Sequence, residues 1–220
     1  MKRRNMIRIF SALLCLCALF LCSCGEKYEF SVDEEGYFIN EKSGVTYDIA
    51  PICYEAISVN EDAFAEQGKR EFFAINGTDT SKWLCDTFGI VYYAKGMKLP
   101  TLKEMNISYV DITENDAVVQ QVSDAQKINE LKALYESGKE TAYPGAAGYS
   151  PKVNLRLKFA DTENGIYYVL AYLEYPQDYI YKDENGKEIN CGKKFLYNRG
   201  DGVCLAVDGL PADVYGSDNG

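Results

Sequence analysis

The stretch KVNLRLKFADTENGIYYVLAYLEY, residues 152–175, decides how the chain is built. In its first half Val153, Leu155, Leu157 and Phe159 alternate with Lys152, Asn154, Arg156 and Lys158. Side chains on a strand point alternately to opposite faces, so this pattern predicts a strand with one buried and one wet face. Asp161-Thr162-Glu163-Asn164-Gly165 then supplies turn chemistry. The second half, IYYVLAYLEY, is apolar on both faces and predicts a central strand.

Other turn signals divide the chain into short runs. DEEG at 33, EKSG at 41, DENG at 183 and NRGDG at 198 each place glycine between apolar segments. A hairpin is predicted from Tyr37-Phe38-Ile39 into Val45–Ile49. Strands are expected near Pro51–Val59, Glu71–Ile75 and Ile90–Ala94. DTSKWLCDTF, residues 79–88, reads as a short capped helix, with the sole Trp83 in the core rather than serving as a ligand platform. Ile107–Thr113 and Ala117–Val122 read as two strands joined by a polar turn. In SDAQKINELKALYESG, Ser123 and Gln126 form a capping box. Ala125, Ile128, Leu131, Leu134 and Tyr135 follow at helical spacing, and Gly138 is the stop. Tyr179–Tyr181, Lys193–Tyr197 and Val203–Val207 would complete an antiparallel meander. The expected fold is therefore α+β: a mainly antiparallel sheet with one main amphipathic helix near 124–137 packed on it.

The amino terminus has a different character. Lys2, Arg3, Arg4 and Arg8 precede an uncharged apolar run from Ile9 to Cys22. A bilayer span needs ~20 apolar residues, so this run is short for a permanent anchor and has the layout of a secretory signal. It ends in Leu21-Cys22-Ser23-Cys24-Gly25, which resembles the lipobox of bacterial lipoprotein precursors, with Cys24 at the lipidated position. That resemblance implies a diacylglycerol on Cys24 and cleavage before it. Two acyl chains anchor stably where one is marginal, at about 0.8 kcal/mol per buried methylene. Together with LPTLKEMNISYVDI and VVQQVSDAQKINELKALY, the chain is similar to uncharacterised lipoproteins of Gram-positive gut bacteria. This likeness brings no catalytic residue with it. The organisation expected is a signal peptide over 1–23, a tether over 24–35, and one α+β domain over 36–207, with subdomains 36–100 and 101–207 as the alternative. A loose tail follows over 208–220. The protein would then face outside the cytoplasm, held to the membrane by lipid.

Composition narrows the chemistry. The chain carries 23 basic and 33 acidic residues, net −10. Removing residues 1–23 takes away four basic residues and leaves 19 against 33, net −14. Such a surface repels phosphate backbones and disfavours nucleic acid as a partner. There is no histidine, which excludes Ser-His-Asp and Cys-His catalysis and His-ligated metal sites. No cofactor or metal motif is found. Cys53, Cys85, Cys191 and Cys204 allow three disulfide pairings if exported, and free buried thiols are the equal alternative. The tyrosines at 167, 168, 172, 175, 179 and 181 offer a sugar-binding face or simply good strand residues. Asp161–Asn164 and Asp183–Asn185 resemble calcium loops, but the glycine is misplaced and hairpin turns explain them better. Arg199-Gly200-Asp201 matches an adhesion tripeptide and equally a hairpin loop. The expected role is a non-enzymatic binding module for an unknown protein or glycan. The alternative is a carboxylate-dependent hydrolase of glycan or cell-wall polymer, with two acids ~5–5.5 or ~6.5–9.5 Å apart across a cleft.

Overall fold

The computed structural model describes residues 27–143, 150–176, 180–182, 185–189 and 193–215. Its architecture is mostly β, not α+β. A closed seven-stranded barrel sits beside an eight-stranded sheet.

The barrel strands are β1 (Tyr28–Val32), β2 (Phe38–Asn40), β3 (Val45–Ile49), β5 (Val59–Gln67), β6 (Arg70–Ile75), β7 (Trp83–Asp86) and β8 (Val91–Ala94). They run in the order β1-β2-β3-β8-β7-β6-β5, and β5 closes back onto β1 in parallel. Every other pairing in the barrel is antiparallel. The interior is filled by Phe30, Phe38, Tyr47, Ala65, Phe72, Leu84 and Tyr92. Phe72 sits at the centre, its ring 5.0 Å from Phe30, 4.8 Å from Phe38 and 5.3 Å from Tyr92. Truncating such a ring costs roughly 3–5 kcal/mol. Buried Asp86 organises the β7–β8 turn. Its carboxylate accepts from the Phe88 and Ile90 amides at 2.9 Å and from the Tyr92 hydroxyl at 3.1 Å.

The second sheet is built from β9 (Tyr109–Glu114), β10 (Ala117–Val122), β11 (Lys139–Thr141), β12 (Val153–Asp161), β13 (Ile166–Glu174), β16 (Lys194–Tyr197) and β17 (Cys204–Ala206). Its order is β10-β9-β12-β13-β16-β17-β11, and β4 (Tyr54–Ala56) also pairs with β13. A separate two-stranded piece joins β14 (Tyr181–Lys182) to β15 (Glu188–Ile189). The β9–β10 turn is made by Asn115 and Asp116, both at positive φ (48° and 64°), which suits a two-residue hairpin. β13 is flanked on both sides and buried from Ile166 to Leu173.

One helix, α1 (Ala125–Ser137), packs on this sheet through Ile128 and Leu131. Asp124, not Ser123, caps it by accepting from the Lys127 amide at 3.0 Å. Thirteen residues with two buried side chains make it a cover over one part of the sheet rather than a layer. That is why the α+β expectation fails. Gly138 ends the helix at φ −59°, so its role is space: a Cβ there would lie 2.8 Å from Leu205.

Three further expectations are corrected. Residues 79–88 hold a turn and then β7, whose four residues are all buried, as a barrel wall between two cores requires. The expected tether contains β1, which turns Phe30 into the barrel. The expected tail is packed as far as Tyr215: Val214 is fully buried, and the Tyr215 amide donates to Gln120 at 2.6 Å. The two bodies share one core, in which Ile75, Trp83, Cys85 and Val91 from the barrel meet Ile112, Leu157 and Leu170 from the sheet.

Candidate functional site

The two faces of the second sheet differ. Directly opposed residues in antiparallel pairs share a face. On the helix-covered face, Leu155, Leu157 and Phe159 of β12 oppose Tyr172, Leu170 and Tyr168 of β13. On the other face, Arg156 and Lys158 oppose Ala171 and Val169, and Asp111 of β9 lies beside Lys158. Glu55 of β4 reaches the same face opposite Tyr167.

A cleft of about 290 Å³ opens there, lined by Ile52, Glu55, Arg156, Val169, Ala171 and Arg199. Its position follows from the topology. β4 pairs with Ile166–Tyr168 and β16 with Ala171–Glu174, so two strands share one edge of β13. Between them the Val169 amide donates to the Cys53 carbonyl at 2.8 Å, which draws the 51–53 segment against β13 and sets Ile52 at the rim. Val169 and Ala171 form the floor.

The charges are fixed from several elements. Arg156 donates to Glu55, Lys158 pairs with the other Glu55 oxygen at 3.0 Å, and Asp116 stands 3.5 Å from Arg156. Lys158 also lies 4.4 Å above the Tyr167 ring. The Tyr167 hydroxyl donates to Asp111 at 2.8 Å, and Gln121 donates to the other Asp111 oxygen at 2.9 Å. Burial and then the Arg156 charge pull the Lys158 ammonium below its usual pKa. Burial and then Arg199 do the same to Arg156. The Thr113 hydroxyl, buried on the strand position across from Arg156, has no hydrogen-bond partner among the described residues.

Arg199 enters from the β16–β17 turn. That turn is held by buried Asn198, whose side-chain amide donates to the Tyr168 hydroxyl at 2.7 Å and whose oxygen accepts from the Gly200 amide at 2.8 Å. Asp201 folds back to accept from Asn198 and from the Val203 amide, both at 2.9 Å. A Cβ at Gly200 would lie 2.6 Å from the Cys53 sulfur, so only glycine lets the turn sit this close. The Arg199-Gly200-Asp201 tripeptide is thus a folded turn with its acid committed inward.

The other candidates fall elsewhere. Cys53 and Cys85 are buried free thiols, both pushed up to about 11 chiefly by burial. Cys204 is buried on the cleft-bearing face of the sheet, in a cluster with Phe195 and Tyr175. Cys24 and Cys191 lie outside the described residues, as does Tyr179. Tyr167, Tyr168, Tyr172 and Tyr175 are buried, so they form core rather than an open sugar platform. Trp83 is buried against Tyr54. Asp161 is a buried turn residue accepting from the Asn164 amide and side chain. Asp183 and Glu184 lie outside the described residues. No group of three or more acids and cysteines suited to a metal ion occurs among the described residues.

Sequence reasoning placed Arg156 and Lys158 on a wet face and singled out Arg199 only as part of a tripeptide. It missed Glu55 and Ile52. One signal for the cleft was present: β13 reads as apolar on both faces while its neighbour β12 carries cations on one. Something else must therefore cover that side of β13. No family model, curated protein or solved structure matches the chain.

Proposed function

We propose that this chain is an extracytoplasmic lipoprotein, anchored by a diacylglycerol on Cys24, whose β body is a non-enzymatic binding module. The observation that carries the binding reading is the cleft at the junction of β4, β13 and β16. It is concave, has an apolar floor, and is lined by charges from three separate segments, as small-ligand sites are. It holds one carboxylate, Glu55, already engaged by Arg156 and Lys158. Hydrolysis by a pair of acids needs two carboxyl groups across a cleft, one of them free to accept or donate a proton. This cleft therefore supports binding over that chemistry.

The anchor is supported by the basic start, the short apolar run and Leu21–Cys24. Its test is metabolic labelling with palmitate in a bacterial host. The full chain is expected to take up label and sediment with membranes. Cys24→Ala is expected to lose the label and to leave the membrane fraction. Label that persists on Cys24→Ala would overturn the anchor assignment.

A further inference from the structure

We infer that the cleft binds a small organic carboxylate, with the anionic head beside Arg199 and Arg156 and an apolar body on Ile52, Val169 and Ala171. This rests on the binding reading of the cleft and is independent of the lipid anchor.

Charge balance gives the sign of the ligand. The cleft lining carries two cations, Arg156 and Arg199, against one carboxylate, Glu55, while Lys158 beside it is balanced by Glu55 and Asp111, and Arg156 also faces Asp116. The acid in the same turn, Asp201, accepts from the Asn198 side chain and the Val203 amide rather than from Arg199. No carboxylate pairs with Arg199 among the described residues. Arg199 is thus the lining cation at the mouth that has no carboxylate of its own. Like-charge crowding adds to burial, the larger cause, in lowering the Arg156 pKa. A single bound anion relieves it.

Shape gives the class. The volume is at the small end for ligand pockets, which begin near roughly 300 Å³. Three of the six lining residues are apolar. A planar carboxylate matches the fork of a guanidinium in two parallel hydrogen bonds. A phosphate would leave the apolar floor of Val169 and Ala171 uncovered. The surrounding acidic surface also repels extra negative charge.

The turn makes the site ready before the ligand arrives. Asn198 ties it to Tyr168, and Gly200 lets it rest on Cys53. Arg199 itself is exposed and has no hydrogen bond or ion pair among the described residues, so changing it tests binding without disturbing the fold.

The experiment titrates the full chain in nonionic detergent with phenylacetate, 2-phenylethanol and inorganic phosphate, reading each probe's NMR line width against detergent alone. Phenylacetate is expected to bind about tenfold or more tighter than the other two. Arg199→Gln is expected to weaken it by about tenfold or more with the melting temperature unchanged. Arg199→Lys keeps the charge without the fork and is expected to recover only part of the loss. Phosphate or the neutral alcohol binding as tightly as phenylacetate would overturn the carboxylate inference while leaving the cleft a binding site. Phenylacetate binding that Arg199→Gln leaves unaltered would overturn the placement. No binding by any of the three at millimolar concentration would overturn both the carboxylate inference and the cleft as a binding site.

Discussion

Cys53 and Cys85 show how a residue's surroundings set its chemistry. Each is 4% exposed, and burial, with a nearby carboxylate, lifts its thiol to about 11. The nucleophile is the thiolate, so both should be inert at neutral pH. In native protein at pH 8, alkylation mapped by mass spectrometry should leave the peptides carrying these two residues unmodified, and denaturant should expose both. Rapid native alkylation of Cys53 would mean that the 198–202 turn does not cover it. At this scale the sequence was half legible. For Cys53 and Cys204, a buried free thiol was one of two equal readings beside a disulfide. Nothing in the local sequence shows that the Cys53 carbonyl would take the Val169 amide, because that bond spans more than a hundred residues. Glu55 was hidden for the same reason. Its meaning comes from Arg156 and Lys158, two strands away in space and far along the chain.

Among the elements, β13 carries the most consequence for pH. Tyr167, Tyr168 and Tyr172 all have phenols raised by burial, and Tyr175 just beyond the strand is pushed up to about 12. In the barrel, Tyr47 and Tyr92 also rise to about 12. An unfolded tyrosine loses its proton near pH 10, while these remain protonated in the folded state. The folded state then holds more protons than the unfolded one above pH 10. Stability contributed by these phenols is complete below pH 10 and is lost as pH rises through 12 and beyond. The urea midpoint is expected to be flat from pH 7 to 9.5 and to fall steeply from pH 10 to 12. Phenolate absorbance should rise for the buried tyrosines only as the chain unfolds. A midpoint unchanged at pH 11.5 would contradict the burial of β13. The long elements were readable because their periodicity is long: β12, β13, the β2–β3 hairpin and α1 each show several turns of their pattern. β1 and β7 were not. β1 has one core residue in five, and β7 is buried on both faces, so four consecutive apolar or buried positions mimic a helix segment as readily as a strand.

For the molecule as a whole, the barrel and the second sheet meet through one core, and that predicts how they come apart. Trp83, the only tryptophan, lies in that shared core near Tyr54 and Tyr93. Its fluorescence reports on the junction, and far-UV circular dichroism reports on all strands. The two urea transitions are expected to coincide, as one cooperative unit requires. A tryptophan transition at clearly lower urea than the dichroism change would show two bodies that separate before they unfold. Closure of the barrel was beyond local reading, because it depends on a parallel pairing of Tyr28 and Glu29 with Ala65 and Glu66. That pairing has a mechanical consequence. Only three residues lie between Cys24 and Tyr28, four steps along the chain with a reach of at most ~14 Å. If Cys24 is held by lipid, the barrel rides close against the bilayer surface, and any tug between cell and ligand enters the body through β1. A strand at a free edge can be peeled away bond by bond. β1 is held in two stretches, Tyr28 and Glu29 by β5 and Phe30 to Val32 by β2, so the leash is fastened to the strand that closes the barrel rather than to a free edge.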